Sequence, residues 1–395
     1  MISEKMKPLV ANNSVIRQMF EEGQKMAEQF GAENVFDFSL GNPNVPAPKE
    51  VNEAIVDIVN SVNPVKVHGY MSNAGFSETR KAIADNLNER FGTSFGVNNI
   101  IMTVGAGSAL NVILKTMLNP GEEVICLAPY FVEYGNYIRN YDGVPVVISA
   151  NPDGGFMPRF DELESKITPK TRALIINNPN NPTGVIYPEA VIEELTALLQ
   201  KKQEEFGTVI YLISDEPYRE LAYGGKDVPF LTKYYDNTIV GYSYSKSLSL
   251  PGERIGYIVI PDESDQATEF IEAATISNRI SGSVNAPSLI QLVIERCVDA
   301  KCEVGYYERN GRTLYEGLTK LGFECVEPQG AFYLWMKSPV EDEKAFVAKA
   351  KEYNILMVPG SSFAGPGYVR LSYCVSYEQI ERSLPKFAEL AKEYF

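Results

Sequence analysis

Lys246 ends the run Ser-Tyr-Ser-Lys at 243–246, and Arg254 follows it eight residues later. A lysine amine can form a Schiff base with a carbonyl cofactor, and hydroxyl groups and a guanidinium can bind a phosphate. Ser243, Ser245 and Arg254 supply those groups directly after an apolar run. The residue types therefore predict a site for pyridoxal phosphate, with Lys246 at its aldehyde and its neighbours at its phosphate. The alternative is an ordinary surface lysine between two serines.

A site of this kind needs a scaffold, and a repeating pattern along the chain predicts one. Apolar, β-branched runs alternate with amphipathic or turn-rich segments such as 188–203. This alternation is typical of an α/β layer with a mostly parallel, buried sheet. Such sheets bind ligands at the carboxyl ends of their strands, where we expect the site residues to lie. The candidate strands are 100–104, 123–128, 145–149, 173–177, 209–214, 238–242 and 255–260.

After about residue 287 the pattern changes. Long helical stretches at 288–321 are followed by strand-like runs at 332–336 and 368–373 and by a closing helix at 377–394. This mixture predicts a second, smaller α+β domain. We predict a large cofactor-binding domain at 49–287 and a small domain made of 1–48 plus 288–395.

The composition of the 395-residue chain argues against several classes of protein. With 45% hydrophobic and 22% charged residues, it matches a globular enzyme rather than a disordered chain. The net charge of -15 argues against nucleic acid or an anionic membrane as a partner. We find no apolar run of about 18 residues, the length a transmembrane helix needs. The first residues also lack the apolar segment of a secretory signal.

The cysteines and the histidine narrow the chemistry further. The five cysteines are scattered and form no Cys-x-x-Cys pair, so we expect free thiols in a reducing cytoplasm. The single histidine, His68, excludes a His-rich metal site and argues against a Ser-His-Asp triad. We expect His68 to be structural and no metal to be bound.

Asp215 follows a predicted strand, and Tyr218 comes three residues later. A carboxylate buried at a strand end needs a cationic partner. The protonated pyridine nitrogen of the predicted cofactor is such a partner, and the charge would keep the ring an electron sink. The alternative is a turn in which Asp215 caps the backbone before Pro217.

A glycine-rich turn, Gly-Ala-Gly-Ser-Ala at 105–109, joins another predicted strand to a helix. Small residues let backbone amides approach a phosphate, and a helix N-terminus favours an anion. This turn is therefore a candidate phosphate site that would complement Ser243 and Arg254. Many α/β folds carry such a turn for close packing alone, which is the alternative.

The spacing of four segments says more than the single residues do. These are the lysine run with Arg254 and Gly256, Asp-x-x-Tyr at 215–218, Asn-Pro-x-Asn-Pro-Thr-Gly at 178–184, and a Tyr, Gly, Arg series at 70, 75 and 80. Together they resemble the class I and II pyridoxal-phosphate-dependent aminotransferases. The resemblance implies the fold-type I architecture of the aspartate aminotransferase-like enzymes. That architecture is a mostly parallel seven-stranded sheet flanked by helices, with a smaller α+β domain.

The resemblance also implies roles for residues that bind the cofactor. The backbone amides of Ala106 and Gly107 would bind its phosphate. Asn181 would donate to the phenolic oxygen of pyridoxal phosphate and touch the substrate carboxylate, and Tyr218 would reach the same oxygen. Phe131 would stack on the pyridine ring, with Tyr130 as the alternative. Tyr70 would reach the phosphate of a neighbouring subunit, which implies a homodimer with shared active sites, unless it is a turn tyrosine.

Two further residues would bind the substrate. Arg370 matches the family arginine that grips the α-carboxylate with two parallel hydrogen bonds, and Gly41 matches the glycine whose backbone lines that pocket. The implied activity is transfer of an amino group between an L-amino acid and a 2-oxo acid by a ping-pong mechanism, with Lys246 as the base.

The resemblance leaves the substrate open. Some aspartate aminotransferases of this family have a lysine in the phosphate turn where this chain has Gly107. Arg279 could bind a distal carboxylate from the partner subunit, or it could be a surface arginine. Aspartate with 2-oxoglutarate is the first expectation, followed by alanine or an aromatic amino acid. A β-C–S lyase on the same fold is the rival enzyme. A non-catalytic regulator is disfavoured by the acidic charge and by a domain that starts almost at residue 1.

Overall fold

The computed structural model describes residues 2–11 and 15–395, and these residues form two compact units. The helices are α1 (Met6–Ala11), α2 (Val15–Phe30), α3 (Lys49–Ser61), α4 (Pro64–His68), α5 (Ser77–Phe91), α6 (Ala106–Met117), α7 (Glu133–Asn140), α8 (Phe160–Lys166), α9 (Glu189–Phe206), α10 (Tyr244–Ser247), α11 (Ala267–Asn278), α12 (Ser288–Cys297), α13 (Val304–Lys320), α14 (Glu343–Lys351) and α15 (Tyr377–Ala391).

The strands are β1 (Phe36–Asp37), β2 (Ile100–Thr103), β3 (Glu123–Leu127), β4 (Val144–Ile148), β5 (Thr171–Asn177), β6 (Tyr211–Asp215), β7 (Thr238–Ser243), β8 (Gly256–Val259), β9 (Tyr333–Lys337), β10 (Ile355–Leu356), β11 (Val358–Pro359) and β12 (Tyr368–Ser372). Short 3₁₀ turns occupy Ala32–Asn34, Val97–Asn99, Leu231–Lys233 and Gly360–Phe363, and a π turn occupies Arg279–Ser283. Within the described residues, no helix is long and apolar enough to cross a membrane.

The larger unit, residues 45–180 and 186–304, is built on a sheet with the strand order β2-β8-β7-β6-β5-β3-β4. Strand β8 runs antiparallel to both of its neighbours, and every other pair in the sheet is parallel. The mostly parallel seven-stranded sheet is therefore confirmed for the described part of the chain. The strands differ from the predicted runs by no more than two residues at either end.

The sheet forms because its strands are apolar on both faces, and helices cover those faces. Every residue of β6 and β7 is buried. Helix α6 packs on β7 so closely that a methyl group on Gly241 would lie 3.5 Å from the Ala109 side chain. Helices pack on both faces, as expected for a parallel sheet. This packing fixes the carboxyl ends of β6 and β7, which are the ends that carry Asp215 and Lys246.

The smaller unit comprises the described residues up to 44 together with 181–185 and 305–395. Its antiparallel sheet has the order β11-β12-β9, and β1 pairs with β10 in parallel. The strand runs predicted at 332–336 and 368–373 are present as β9 and β12. The short strands β1, β10 and β11 were not expected from the sequence.

These two units have different borders from the domains predicted from the sequence. The domain division itself remains a prediction. Helix α12 packs on α3 and α5, so it goes with the larger unit rather than with the predicted small domain. The loop 181–185 goes with the smaller unit, because the carbonyl of Gly184 accepts hydrogen bonds from the amides of Gln329 and Gly330. Residues 1 and 12–14 of the predicted small domain lie outside the described residues.

Candidate active site

Asp215 is the last residue of β6 and is buried, with 4% of its surface exposed. The hydroxyl of Tyr134 donates a hydrogen bond to Oδ2 of Asp215. The side-chain amide of Asn177 donates to the backbone carbonyl of Asp215 over 2.9 Å. Its Oδ1 is also buried and has no hydrogen-bond partner in the described part of the protein. A buried carboxylate oxygen without a partner is costly, so this atom fits a ligand that carries a donor or a positive charge.

The surroundings of Asp215 disfavour its charged form. Burial raises its pKa to about 7, the nearby charge of Glu216 also raises it, and the Tyr134 hydrogen bond lowers it. Glu216 is itself paired with the buried guanidinium of Arg219, which satisfies that second carboxylate. A cation placed at the open oxygen of Asp215 would favour the ionised carboxylate.

Lys246 lies on the single-turn helix α10, which begins directly after β7. Ser243 caps this turn: its Oγ accepts a hydrogen bond from the Ser245 amide over 3.1 Å. The hydroxyls of Ser243 and Ser245 lie 2.7 Å apart, and both serines are buried. Lys246 is half-buried at the end of the strand next to β6, so its amine and the Asp215 carboxylate come from the same edge of the sheet.

A second turn at this edge has the form of an anion-binding cradle. Gly105 enters α6 with a φ of 92°, a conformation that favours glycine. A methyl group there would lie 2.9 Å from Nη2 of Arg254, and the guanidinium donates over 3.2 Å to the carbonyl of Val104. Arg254 therefore lies against the start of α6, where the amides of Ala106 and Gly107 belong to the first turn of the helix. Arg254 is exposed, so its charge is accessible to a ligand.

The serine turn and the glycine turn are brought together by the sheet. Ser243 pairs with Gly256 across β7 and β8, and Thr103 pairs with the same glycine across β2 and β8. A methyl group on Gly256 would lie 3.0 Å from the Cα of Gly105, so the two backbones need a glycine at this crossing. The predicted phosphate ligands thus lie around one crossing point.

An aromatic turn precedes α7 in the same unit. Phe131 and Tyr130 are half-buried, and both rings contact the buried ring of Tyr134, with centroids 5.7 Å and 6.1 Å away. Tyr137 lies on the next turn, with its hydroxyl 3.1 Å from the position of a methyl group on Gly107. Tyr218 is buried in the turn after β6, and its carbonyl accepts from the Leu221 amide over 2.8 Å.

In the smaller unit, Arg370 of β12 is buried, with 2% of its surface exposed. Its Nη1 donates to Oδ1 of Asn181 over 3.1 Å, and its Nη2 donates to the carbonyl of Ser39 over 2.6 Å. The rings of Tyr333 and Phe363 lie 4.4 Å and 4.6 Å from its Cζ. These contacts hold the guanidinium plane in one orientation, which is what recognition of a planar carboxylate requires.

Gly41 contributes space to this cluster. A methyl group at Gly41 would overlap the hydroxyl of Tyr333, the ring that lies over Arg370. The predicted substrate residues Gly41, Asn181 and Arg370 are therefore brought together around one guanidinium.

Three of the residues named from the sequence do not join either cluster. Tyr70 is 91% exposed, and His68 and Arg279 are exposed as well. The described contacts thus give Tyr70 and Arg279 no role within the chain's own two clusters.

Comparison with known proteins shows the family of this chain. The model of the family described as aminotransferase class I and II matches residues 33–387. The chain belongs to this family. It is 34% identical to the aspartate/prephenate aminotransferase of Thermus thermophilus over 356 residues, which is 89% of this chain and 90% of that protein.

Two crystal structures of aminotransferases have the same fold. An aminotransferase from Eubacterium rectale has a TM-score of 0.97 and 46% identity, covering 100% of this chain and 99% of that one. The aspartate aminotransferase of Thermus thermophilus with maleate has a TM-score of 0.88 and 30% identity, covering 99% of each chain. The chain is therefore a fold-type I aminotransferase, an enzyme that transfers amino groups, and the family and fold predictions are confirmed.

Pyridoxal phosphate is the cofactor of this family, and the residues of the larger unit fit it. The open Oδ1 of Asp215 matches a protonated ring nitrogen. The start of α6 with Arg254 and the two serines matches a phosphate, because amides, a guanidinium and hydroxyls are its usual ligands.

Sequence reasoning missed several residues of these clusters. Tyr134 bonds Asp215, and Tyr333 and Phe363 cover Arg370. Two of them had a usable signal. Tyr134 lies three residues after the predicted ring-stacking Phe131, in the same aromatic segment of the chain. Tyr333 lies on a strand adjacent to that of Arg370, two residues from its direct partner Trp335.

Proposed function

We propose that this aminotransferase moves the amino group of L-aspartate to 2-oxoglutarate, giving oxaloacetate and L-glutamate by a ping-pong mechanism. The observation that carries the proposed site is Asp215, a buried carboxylate with one oxygen hydrogen-bonded by Tyr134 and the other without a partner among the described residues. A ligand that donates a hydrogen bond to the second oxygen would explain why this buried carboxylate is tolerated.

In the proposed site, pyridoxal phosphate is held at its ring, its phosphate and its aldehyde. Asp215 accepts from the ring nitrogen, and Lys246 is the attachment point of the aldehyde. The remaining cofactor ligands are the ring-stacking Phe131, the phenol-binding Asn181 and Tyr218, and the phosphate ligands Ala106, Gly107, Ser243, Ser245 and Arg254. The burial of Ser243 and Ser245 and the contact of Arg254 with the start of α6 support the phosphate assignments.

The bound cofactor supplies an aldehyde that condenses with amines and a ring that withdraws electrons from the substrate Cα. The residues of the chain do the rest. Arg370 and Asn181 bind the α-carboxylate and so fix which Cα bond can be broken. The Lys246 amine would act as the general base that takes the proton from the substrate Cα, and its conjugate acid would hold that proton. Gly41 lines the carboxylate pocket with its backbone.

Aspartate is proposed as the donor because relatives of this chain are named for it. One relative is the aspartate/prephenate aminotransferase of Thermus thermophilus, and one similar structure is an aspartate aminotransferase of that organism with maleate, a dicarboxylate. A second carboxylate needs a cation, and the exposed Arg279, on the π turn Arg279–Ser283, is the proposed one.

We propose a homodimer in which Tyr70 and Arg279 serve the active site of the partner subunit. Tyr70 is 91% exposed, so its ring is accessible to another chain. A cytoplasmic location is also proposed, since Cys126, Cys297, Cys302, Cys325 and Cys374 are free thiols.

The test is a panel of L-amino acids, each paired with 2-oxoglutarate and the purified holoenzyme, with glutamate formation as the readout. Aspartate should give the highest kcat/KM, and Arg279→Ala should lower it for aspartate while leaving alanine unchanged. A higher value for alanine or an aromatic amino acid would overturn the aspartate assignment. Release of pyruvate and ammonia from a sulfur amino acid without an oxo acid would identify a lyase instead.

A further inference from the structure

Tyr134 shares the buried carboxylate of Asp215 with the proposed cofactor. Tyr134 lies in the first turn of α7 with 1% of its surface exposed. Its hydroxyl donates to Oδ2 of Asp215, while Oδ1 has no partner among residues 2–11 and 15–395. The Tyr134 hydroxyl thus occupies one carboxylate oxygen, Oδ2, and the other, Oδ1, is left for a ligand.

The ring of Tyr134 is locked in this position. Tyr130 stacks nearly parallel to it at 6.1 Å, with an interplanar angle of 5°. Phe131 meets it edge-on at 5.7 Å, with an angle of 81°. The Tyr134 amide also donates to the Phe131 carbonyl over 3.1 Å, which fixes the backbone. Because the ring is held on two sides, its hydroxyl cannot swing away from the carboxylate without moving the turn.

We propose that Tyr134 is a positioning residue that fixes the Asp215 carboxylate through Oδ2, leaves Oδ1 for the protonated ring nitrogen of pyridoxal phosphate, and keeps the carboxylate ionised. This inference rests on the proposed role of Asp215. Phe131, the proposed ring-stacking residue, lies in the turn just before α7, so the segment from Phe131 to Tyr134 would serve both the face and the nitrogen of the ring.

The electrostatics agree with this geometry. Burial holds the pKa of Tyr134 well above its ordinary range, so the phenol keeps its proton and acts as a donor. Burial and the Glu216 charge raise the pKa of Asp215, whereas the Tyr134 hydrogen bond lowers it. Among the described residues, titratable groups that interact with the pair also include Tyr137 on α7, Cys126 on β3 and Tyr218 after β6. Tyr134 is the group that donates a hydrogen bond to the carboxylate and so favours its charged form.

The sign of the pH effect follows. A protonated ring needs an ionised Asp215, so the affinity for pyridoxal phosphate should fall as pH drops below the pKa of that carboxyl in the cofactor-free protein. Removing the Tyr134 hydroxyl raises this pKa. The midpoint of affinity against pH should therefore move to higher pH.

The experiment measures the dissociation constant of the cofactor-free protein for pyridoxal phosphate as a function of pH. Tyr134→Phe should weaken binding on the order of tenfold at neutral pH, from loss of a hydrogen bond to a charged group, and should shift the midpoint upward. The matched control is Tyr235→Phe, which also deletes a buried hydroxyl, one that donates to the Ile210 carbonyl over 2.6 Å. It should lower thermal stability but leave the affinity and the midpoint unchanged.

A wild-type midpoint and affinity in Tyr134→Phe would overturn the inference. Asp215→Asn separates this failure from failure of the proposed site. If Asp215→Asn weakens binding and removes the pH dependence while Tyr134→Phe does neither, only the role of Tyr134 falls. If Asp215→Asn itself binds normally, the role of Asp215 falls with it.

A second variant keeps the test open if Tyr134→Phe does not fold. Replacing Tyr134 with 3-fluorotyrosine preserves the ring and makes the phenol a stronger donor. The midpoint should then move to lower pH, and an unchanged midpoint would contradict the inference.

Discussion

Replacing Arg370 with lysine tests the proposed carboxylate site most sharply, because it keeps the charge and removes the planar fork. The guanidinium is anchored by the Asn181 side chain and the Ser39 carbonyl and is covered by the rings of Tyr333 and Phe363. An ammonium group in its place cannot make two parallel hydrogen bonds to one carboxylate or lie flat between two rings.

The magnitude follows from the bond that is lost. A hydrogen bond between charged groups contributes about 1.5–3 kcal/mol. Each 1.36 kcal/mol is a factor of ten in rate, so kcat/KM should fall by roughly 10- to 150-fold for Arg370→Lys. The fall should apply to both the amino acid and the oxo acid, since both carry the same carboxylate next to the reacting carbon.

The assay compares kcat/KM for an amino acid with that for the corresponding amine, which lacks the α-carboxylate. Arg370→Lys should lose activity with the amino acid and little with the amine. Arg312→Lys is the control, because Arg312 is an exposed arginine of the same unit that pairs with Glu308 over 3.1 Å. An equal loss for the two substrates would refute carboxylate recognition by Arg370.

Three further predictions concern the larger unit. Lys246→Ala should lower the rate at least 1,000-fold, on the order expected for removal of an essential acid–base group. Its cofactor should also separate from the protein on gel filtration, and cofactor that stays attached would contradict this prediction. Gly105→Ala should weaken cofactor binding more than the control Gly92→Ala. Both glycines have a positive φ (92° for Gly105 and 67° for Gly92), but only the methyl group at 105 would lie close to Arg254, 2.9 Å from its guanidinium. Equal affinities of the two variants in titrations with the cofactor would refute this prediction. The cofactor-free protein should lose stability in urea as pH rises from the ordinary pKa of an aspartate, 3.8, to about 7, because the raised pKa of Asp215 favours folding of its neutral form. Asp215→Asn should flatten this slope, and an unchanged slope would exclude Asp215 as its source.

Much of the fold could be predicted because its strands are long enough to show a pattern. Strands β2 to β8 have four to seven residues each, most of them apolar or β-branched, and buried parallel strands are rich in such residues. Strands β1, β10 and β11 have only two residues each, which is too short for any alternation of apolar and polar residues to be recognised. These strands form because β1 pairs with β10 and β11 pairs with β12, and the residues of each strand alone do not show which partner the fold will bring to it.

The candidate site divides in the same way. Asp215, Lys246 and Arg254 lie in short segments with recognisable spacing, so their chemistry could be proposed from residue type. Tyr134 lies 81 residues before Asp215, and the fold alone brings its hydroxyl to the carboxylate. Arg370 could be predicted as a carboxylate ligand, but not its two covering rings, because strand pairing and loop position set those contacts.

The most direct test of the central claim is to reduce the holoenzyme with sodium borohydride and map the modified peptide by mass spectrometry. Borohydride converts a lysine Schiff base into a stable secondary amine. We expect one pyridoxyl group per chain, on Lys246, and none when L-aspartate is added first without an oxo acid. A label on another lysine, or no label at all, would contradict the assignment of Lys246 and the chemistry built on it.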